Sequence, residues 1–145
     1  MTLTFFVHGL PIAQPRQRHT QHGHNYTPRT HPVQAFKYTV AQEAREAAQR
    51  EHWPLPCFAE AVMLAYTLYF PRPQALQWKR RPQTTLWHTH KPDLENVQKA
   101  LADALTGIAW KDDVQIAQVH GRKFICGVGE SVGVFCRIDA LEEIV

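Results

Sequence analysis

The sequence predicts an α/β (α+β) fold: a small mixed β-sheet with two main helices, in the order β-α-β-α-β-β. Three features predict it. Short apolar runs of strand length stand at 3–7, 61–70, 114–119 and 132–138. Two stretches, 33–50 and 94–108, instead place apolar residues at helical spacing. Proline and glycine punctuate the joints between these segments. At 145 residues, 44% of them apolar, the chain has the size and composition of one globular domain, 1–145.

Taken in order, residues 3–7 are β-prone and close on His8 and Gly9, as a first strand should. Residues 10–31, rich in Pro, Gln, Arg, His and Thr, show no periodicity and read as a long functional loop. Phe36, Val40, Ala44 and Ala47 or Ala48 then mark a helix, which the run Trp53-Pro54-Leu55-Pro56 ends. The near-continuous apolar run 61–70 reads as a central strand, stopped by Pro71 and Pro73. Residues 74–91 are basic and contain Trp78 and Trp87; a short helix and an extended approach are expected. Pro92 disfavours helix at Lys91, and Asp93 is the expected N-cap of the second helix. Leu94, Val97, Leu101, Ala104, Leu105 and Ile108 form its apolar stripe, and Gly107 suits its end. Asp112 and Asp113 are expected to open the next strand, and a glycine-containing turn at 127–133 leads to the last.

Charge is segregated. No Asp or Glu precedes Glu43, and none occurs between 61 and 92, whereas both stretches hold arginines and lysines. The net charge of +3 understates this one-sidedness, which suits nucleic acid. Cys57, Cys126 and Cys136 lie in apolar surroundings with no paired spacing, so a disulfide frame is not expected. No apolar run is long enough for a membrane span, and the N-terminus lacks a secretory pattern. A cytoplasmic protein, without a membrane partner or an organic cofactor, is expected.

Against this basic background, five of the thirteen acidic residues lie between Asp93 and Asp113. Carboxylates hold hard divalent cations, and surrounding cations hold phosphates, which is the equipment of a metal-dependent enzyme acting on a polyanion. Helix residues two apart point about 200° from each other. Asp93 and Glu95 therefore converge only if Asp93 sits in the extended lead-in. Lys99, four residues after Glu95, projects from the same side. In a strand, only one of Asp112 and Asp113 would face the site. Arg16, Arg18, Lys79, Arg80 and Arg81 are the candidate phosphate contacts. Trp78 and Trp87 could stack on unpaired bases or pack in the core. His19, His22, His24 and His31 read as polar loop residues near DNA, since no cysteine is at hand to close a zinc site. Lys123 is placed to reach the site if its strand runs unbroken.

The run Lys91-Pro92-Asp93-Leu94-Glu95-Asn96-Val97-Gln98-Lys99-Ala100, followed by residues 103–108 and Asp112-Asp113-Val114-Gln115-Ile116, resembles the signature of the RusA family of Holliday junction resolvases. Gly9-Leu10-Pro11, Arg16-Gln17-Arg18 and Tyr26-Thr27-Pro28 resemble its N-terminal part more loosely. The resemblance implies a crossover junction endodeoxyribonuclease that leaves a 5′-phosphate and a 3′-hydroxyl, works in DNA recombination and repair, and is bacterial or prophage-encoded. By position it implies Asp93, Glu95 and Asp113 as Mg²⁺-binding carboxylates, with Asp112 as substitute, Lys99 as the catalytic lysine, and Mn²⁺ as an alternative ion. It also implies a homodimer matched to a four-way junction. The family usually carries Asp where this chain has Glu95, so the carboxylate reaches one methylene farther. The alternatives are a less selective nuclease of flaps or forks, or a catalytically weakened junction-binding protein.

Overall fold

The computed structural model describes residues 1–144. Seven strands and two long helices are present: β1 (Thr2–His8), β2 (Arg18–His19), β3 (Asn25–Tyr26), α1 (Pro32–Arg50), β4 (Val62–Phe70), β5 (Leu86–Trp87), α2 (Leu94–Leu105), β6 (Ile116–Ile125) and β7 (Gly133–Ala140). Five of the strands make one mixed sheet in the order β1-β7-β4-β6-β5. Only β4 and β6 are parallel; the other pairs are antiparallel. The expected α+β architecture is therefore present, with two additions. The loop 10–31 contains the small antiparallel ribbon β2–β3, and the approach to α2 lends β5 to the sheet edge. Strands of two residues have too little pattern to be seen in a sequence.

Both helices cover one face of the sheet. Leu3, Phe5 and Val7 of β1, Leu64, Tyr66 and Leu68 of β4, and Val134, Cys136 and Ile138 of β7 are buried beneath them. α1 contributes Val33, Phe36, Val40 and Ala44, and α2 contributes Val97, Ala100, Leu101 and Leu105. The apolar run of β4 is explained by its place: it is the central strand, buried along most of its length. The opposite face bears Phe6, Tyr69, Phe124 and Trp87, whose rings run in a row with centroids 4.6 to 6.5 Å apart.

Local caps follow the side chains at hand. His31 starts α1: its Nδ1 accepts from the Val33 N–H at 3.0 Å, and Pro32 supplies the first helical residue, where a missing N–H costs nothing. Gly107 has φ +89° and lets the chain turn after α2 to bring Trp110 into the core, with its Nε1–H donating to Thr106 Oγ1 at 3.2 Å. Among the described residues the three cysteines are free; Cys126 and Cys136 are buried and Cys57 half-buried. Burial pushes each thiol above its usual range.

The Tyr66 ring crosses β6 where that strand has Gly121. A Cβ added there would stand 2.5 Å from the Tyr66 hydroxyl oxygen. The hydroxyl donates to Gln98 Oε1 of α2 at 2.8 Å, so this contact joins sheet to helix. Burial, with Cys136 and Glu95 adding to it, pushes the phenol up to about 12. Gly121→Ala is expected to destabilise the fold by about 1–3 kcal/mol through overpacking, measured by urea unfolding.

Candidate nucleic-acid and carboxylate site

The site is built where α2 begins. Its backbone at Asp93 is extended (φ −64°, ψ 139°), the N-cap conformation expected from the sequence, yet the carboxylate makes no capping hydrogen bond. It instead accepts from Asn96 Nδ2 at 3.3 Å, which leaves most of its lone-pair capacity free. Glu95 lies in the first turn, with Oε1 3.8 Å from Lys99 Nζ one turn on. Both side chains are largely exposed, so this pair adds little stability and both groups remain available.

The approach to Asp93 is held by Lys123 of β6. Its ammonium donates to His90 O at 2.6 Å and Pro92 O at 2.8 Å. Lys123, expected to reach the site on the strength of its strand parity with Asp113, fastens the backbone ahead of Asp93, at the other end of β6 from Asp113. His88 packs its ring 4.6 Å from that of Phe70. Burial first, and then the nearby Lys123 charge, lower its pKa.

The N-terminal loop closes the other side. Gln14 N–H donates to Asn96 O at 2.8 Å, pinning the loop to the first turn of α2. A depression of about 410 Å³ results, lined by Gln14, Pro15, Arg16, Gln17, Asn96 and Lys99. Arg16 and Lys99, distant in sequence, thus share one concavity. Beyond it lies a polar trough that includes Asn25, Gln34 and the ion pair between Lys37 Nζ and Asp103 Oδ2 at 2.6 Å. Gln14 and Asn96 carry no charge signal, and nothing in the sequence marked them as walls of the site. The backbone of Arg18 lies in β2, but its side chain lies outside the described residues.

Lys79, Arg80 and Arg81 are exposed on the loop after β4. Arg72 anchors this loop, donating to Leu76 O and Thr84 O at 2.6 Å each. Trp78 is half-buried between two guanidinium groups, Arg81 at 3.5 Å and Arg72 at 4.5 Å from the ring centroid. Its faces are thereby occupied by cations. Trp87, at 67% exposed, has the open ring.

The later aspartates lie elsewhere, and two expectations need correction. Asp112 and Asp113 do not open a strand: Asp112 caps a 3-10 turn over Asp113–Gln115, accepting from the Val114 N–H at 3.1 Å, and β6 starts only at Ile116. Gln115 ties this turn to the chain ahead of β4 by donating to Phe58 O at 3.0 Å and Glu60 O at 3.1 Å. Nor do the carboxylates meet within one chain. β4, α2 and β6 form a parallel crossover, in which the helix runs back against the strands. The α2 N-terminus stands beside Lys123, near the end of β6, whereas Asp113 precedes its beginning. Ile116 and Lys123 are seven residues apart, about 23 Å along a strand. Among the described residues no three His, Cys, Asp or Glu side chains come together as metal ligands. One chain presents Asp93 and Glu95 at one end of the crossover and Asp112 and Asp113 at the other; a pair of carboxylates with water and phosphate oxygens is the kind of set that holds magnesium.

Fold and site define a small α/β protein with a polar concavity, two cations within it, and the exposed carboxylates of Asp93 and Glu95 in contact with its Asn96 and Lys99. Residues 8–137 match the family of endodeoxyribonuclease RusA, and the chain belongs to that family. It is also similar to the uncharacterised protein YqaN of Bacillus subtilis (strain 168), 28% identical over 128 residues, covering 84% of this chain and 87% of that protein. The chain is thereby a nuclease of the endodeoxyribonuclease class.

The lowered pKa of His88 has a sign that can be checked. A histidine whose folded pKa lies below its unfolded value of about 6.5 stabilises the fold above that pH, and the contribution is lost as pH falls through the window below it. Ring-proton NMR should place its midpoint below 6.5. The wild type should also lose more thermal stability than His88→Gln between pH 7 and pH 5.

Proposed function

We propose that this protein is a Mg²⁺-dependent, homodimeric endonuclease that resolves four-way DNA junctions by paired nicks in recombination and repair, acting in the cytoplasm. The observation that carries the reading is the shared concavity of Arg16 and Lys99 beside Asp93 and Glu95, in a chain of the RusA family. Arg16 and Lys99 are the cations that receive the scissile phosphate, Lys99 being nearest to the carboxylates. The loop with Lys79, Arg80 and Arg81 takes phosphates of a neighbouring arm.

The homodimer has a chemical reason besides the symmetry of its substrate. Because the crossover holds Asp113 away from Asp93 and Glu95, the carboxylate set is complete only when a second copy brings its own Asp113 to the first copy's α2. Magnesium dependence is then a property of the pair. Mn²⁺ is the expected substitute ion.

A synthetic four-way junction with Mg²⁺ tests this. The wild type should nick it in symmetric pairs, in preference to a flap of equal length, and Asp93→Asn and Asp113→Asn should each fall at least a hundredfold. Mixing the two inactive variants should restore nicking of one strand, since half of the mixed dimers' sites would then be intact. No recovery on mixing, from proteins shown to exchange subunits, would place each site within one chain. Replacing Lys79, Arg80 and Arg81 together by alanine should lower the slope of binding against salt by about two or three counterions. An unchanged slope, measured by titration at several salt concentrations, would remove that loop from the DNA contact.

A further inference from the structure

The sheet face turned away from the helices carries side chains that the cleavage site does not use. Alternation along a strand puts Phe6 of β1, Tyr69 of β4, Phe124 of β6 and Phe135 of β7 on this face, with Trp87 opposite Phe124 at its edge. The rings of Phe6 and Tyr69 can approach because β7 has a glycine between them: a Cβ added at Gly133 would stand 2.6 Å from Phe6 Cε1. Phe135 is 39% exposed and Trp87 67%. Phe135 also divides two hollows. One, of about 310 Å³, is walled by Phe6, His8 and Tyr69; the other, of about 420 Å³, by Thr67, His120, Arg122 and Arg137. Aromatic planes thus lie on one side of Phe135 and cations on the other.

We propose that this face is a platform for an unpaired DNA strand, whose bases stack on the rings while its phosphates meet Arg122. Contiguous exposed rings mark an interaction surface, and the charge beside them selects the partner. Arg122 donates to Thr67 Oγ1 at 3.1 Å and makes no salt bridge among the described residues. Under an apolar partner its guanidinium would lose its hydration without gaining a counter-ion; a phosphate supplies one. The two carboxylates nearby are engaged: Asp139 holds Arg137 at 2.8 Å, and Glu130 accepts from the Gly127 N–H at 2.7 Å. Duplex bases are stacked on one another, whereas those of a single strand are free to lie on protein rings, whatever the sequence. The row also ends close to the cleavage site. Trp87 is followed by residues 88–92, the approach that Lys123 fastens ahead of Asp93. That proximity rests on the nuclease reading; the platform itself does not.

Binding to a labelled oligothymidylate of about fifteen nucleotides, without divalent metal so that nothing is cut, tests the platform. Phe135→Ala and Trp87→Ala should each weaken binding at least fivefold with the wild-type circular dichroism retained, and Phe135→Trp should keep it within twofold. Arg122→Gln should lower the slope of binding against salt by about one counterion. Tyr38→Ala, which removes an exposed ring from α1 on the helical side, should leave binding as it was. Should an alanine variant misfold, quenching of the wild-type tryptophan fluorescence by the oligothymidylate, reduced in Trp87→Phe, decides. Unchanged affinity in both alanine variants would overturn the inference. So would a wild type whose self-association, followed by sedimentation, is lost in Phe135→Ala, because a second copy would then cover the face. A protein that nicks four-way junctions yet ignores the oligothymidylate loses the platform alone. One that holds the oligothymidylate through these rings and nicks nothing keeps the platform and loses the nuclease reading.

Discussion

The parallel pairing of β4 with β6 is the constraint on which the rest of this structure depends. Two parallel neighbours cannot be joined by a tight turn; the chain must leave the end of one strand, travel back over the sheet and enter the next strand from its start. The helix α2 is that return path. Its N-terminus must stand at the end where β4 finishes, and its C-terminus where β6 begins. Every acidic residue of interest is attached to this path, so the crossover alone dictates which carboxylates can be neighbours.

One consequence is a division of labour between the two ends of the crossover. At the α2 N-terminus the backbone is fastened from two sides, by Lys123 to the carbonyls of His90 and Pro92 and by Gln14 to Asn96. The carboxylates there are exposed and lightly engaged. At the other end, Gln115 is tied to the start of β4 and Asp112 is spent on a cap. Asp113 remains exposed beside it. Rigid backbone with free side chains is the condition under which ligands can be held in fixed geometry. Both ends meet it.

The helices also decide the electrostatics. Lys37 of α1 is neutralised by Asp103 of α2, and Arg72 is turned inward to carbonyl oxygens of its own loop. Arg16 in the concavity and Lys79, Arg80 and Arg81 on their loop make no salt bridge among the described residues. Net charge is a weak guide to a nucleic-acid surface for this reason: several of the sixteen basic residues are structural. What matters is which ones the fold leaves unpaired on one side.

The sequence by itself determined the element order, the central position of the 62–70 strand, the apolar stripe of α2 and the extended cap at Asp93. Each rests on local periodicity or on the backbone restrictions of proline and glycine, which act whatever the rest of the chain does. The run from Lys91 to Asp113 also carried the family. Only the tertiary structure decided the two-residue strands, the turn at Asp113 and the role of Lys123, because each depends on a partner far away in sequence. Above all it decided that Asp93 and Asp113 stand at opposite ends of a helix. Spacing along a chain measures contour, and a crossover converts twenty residues of contour into separation instead of contact.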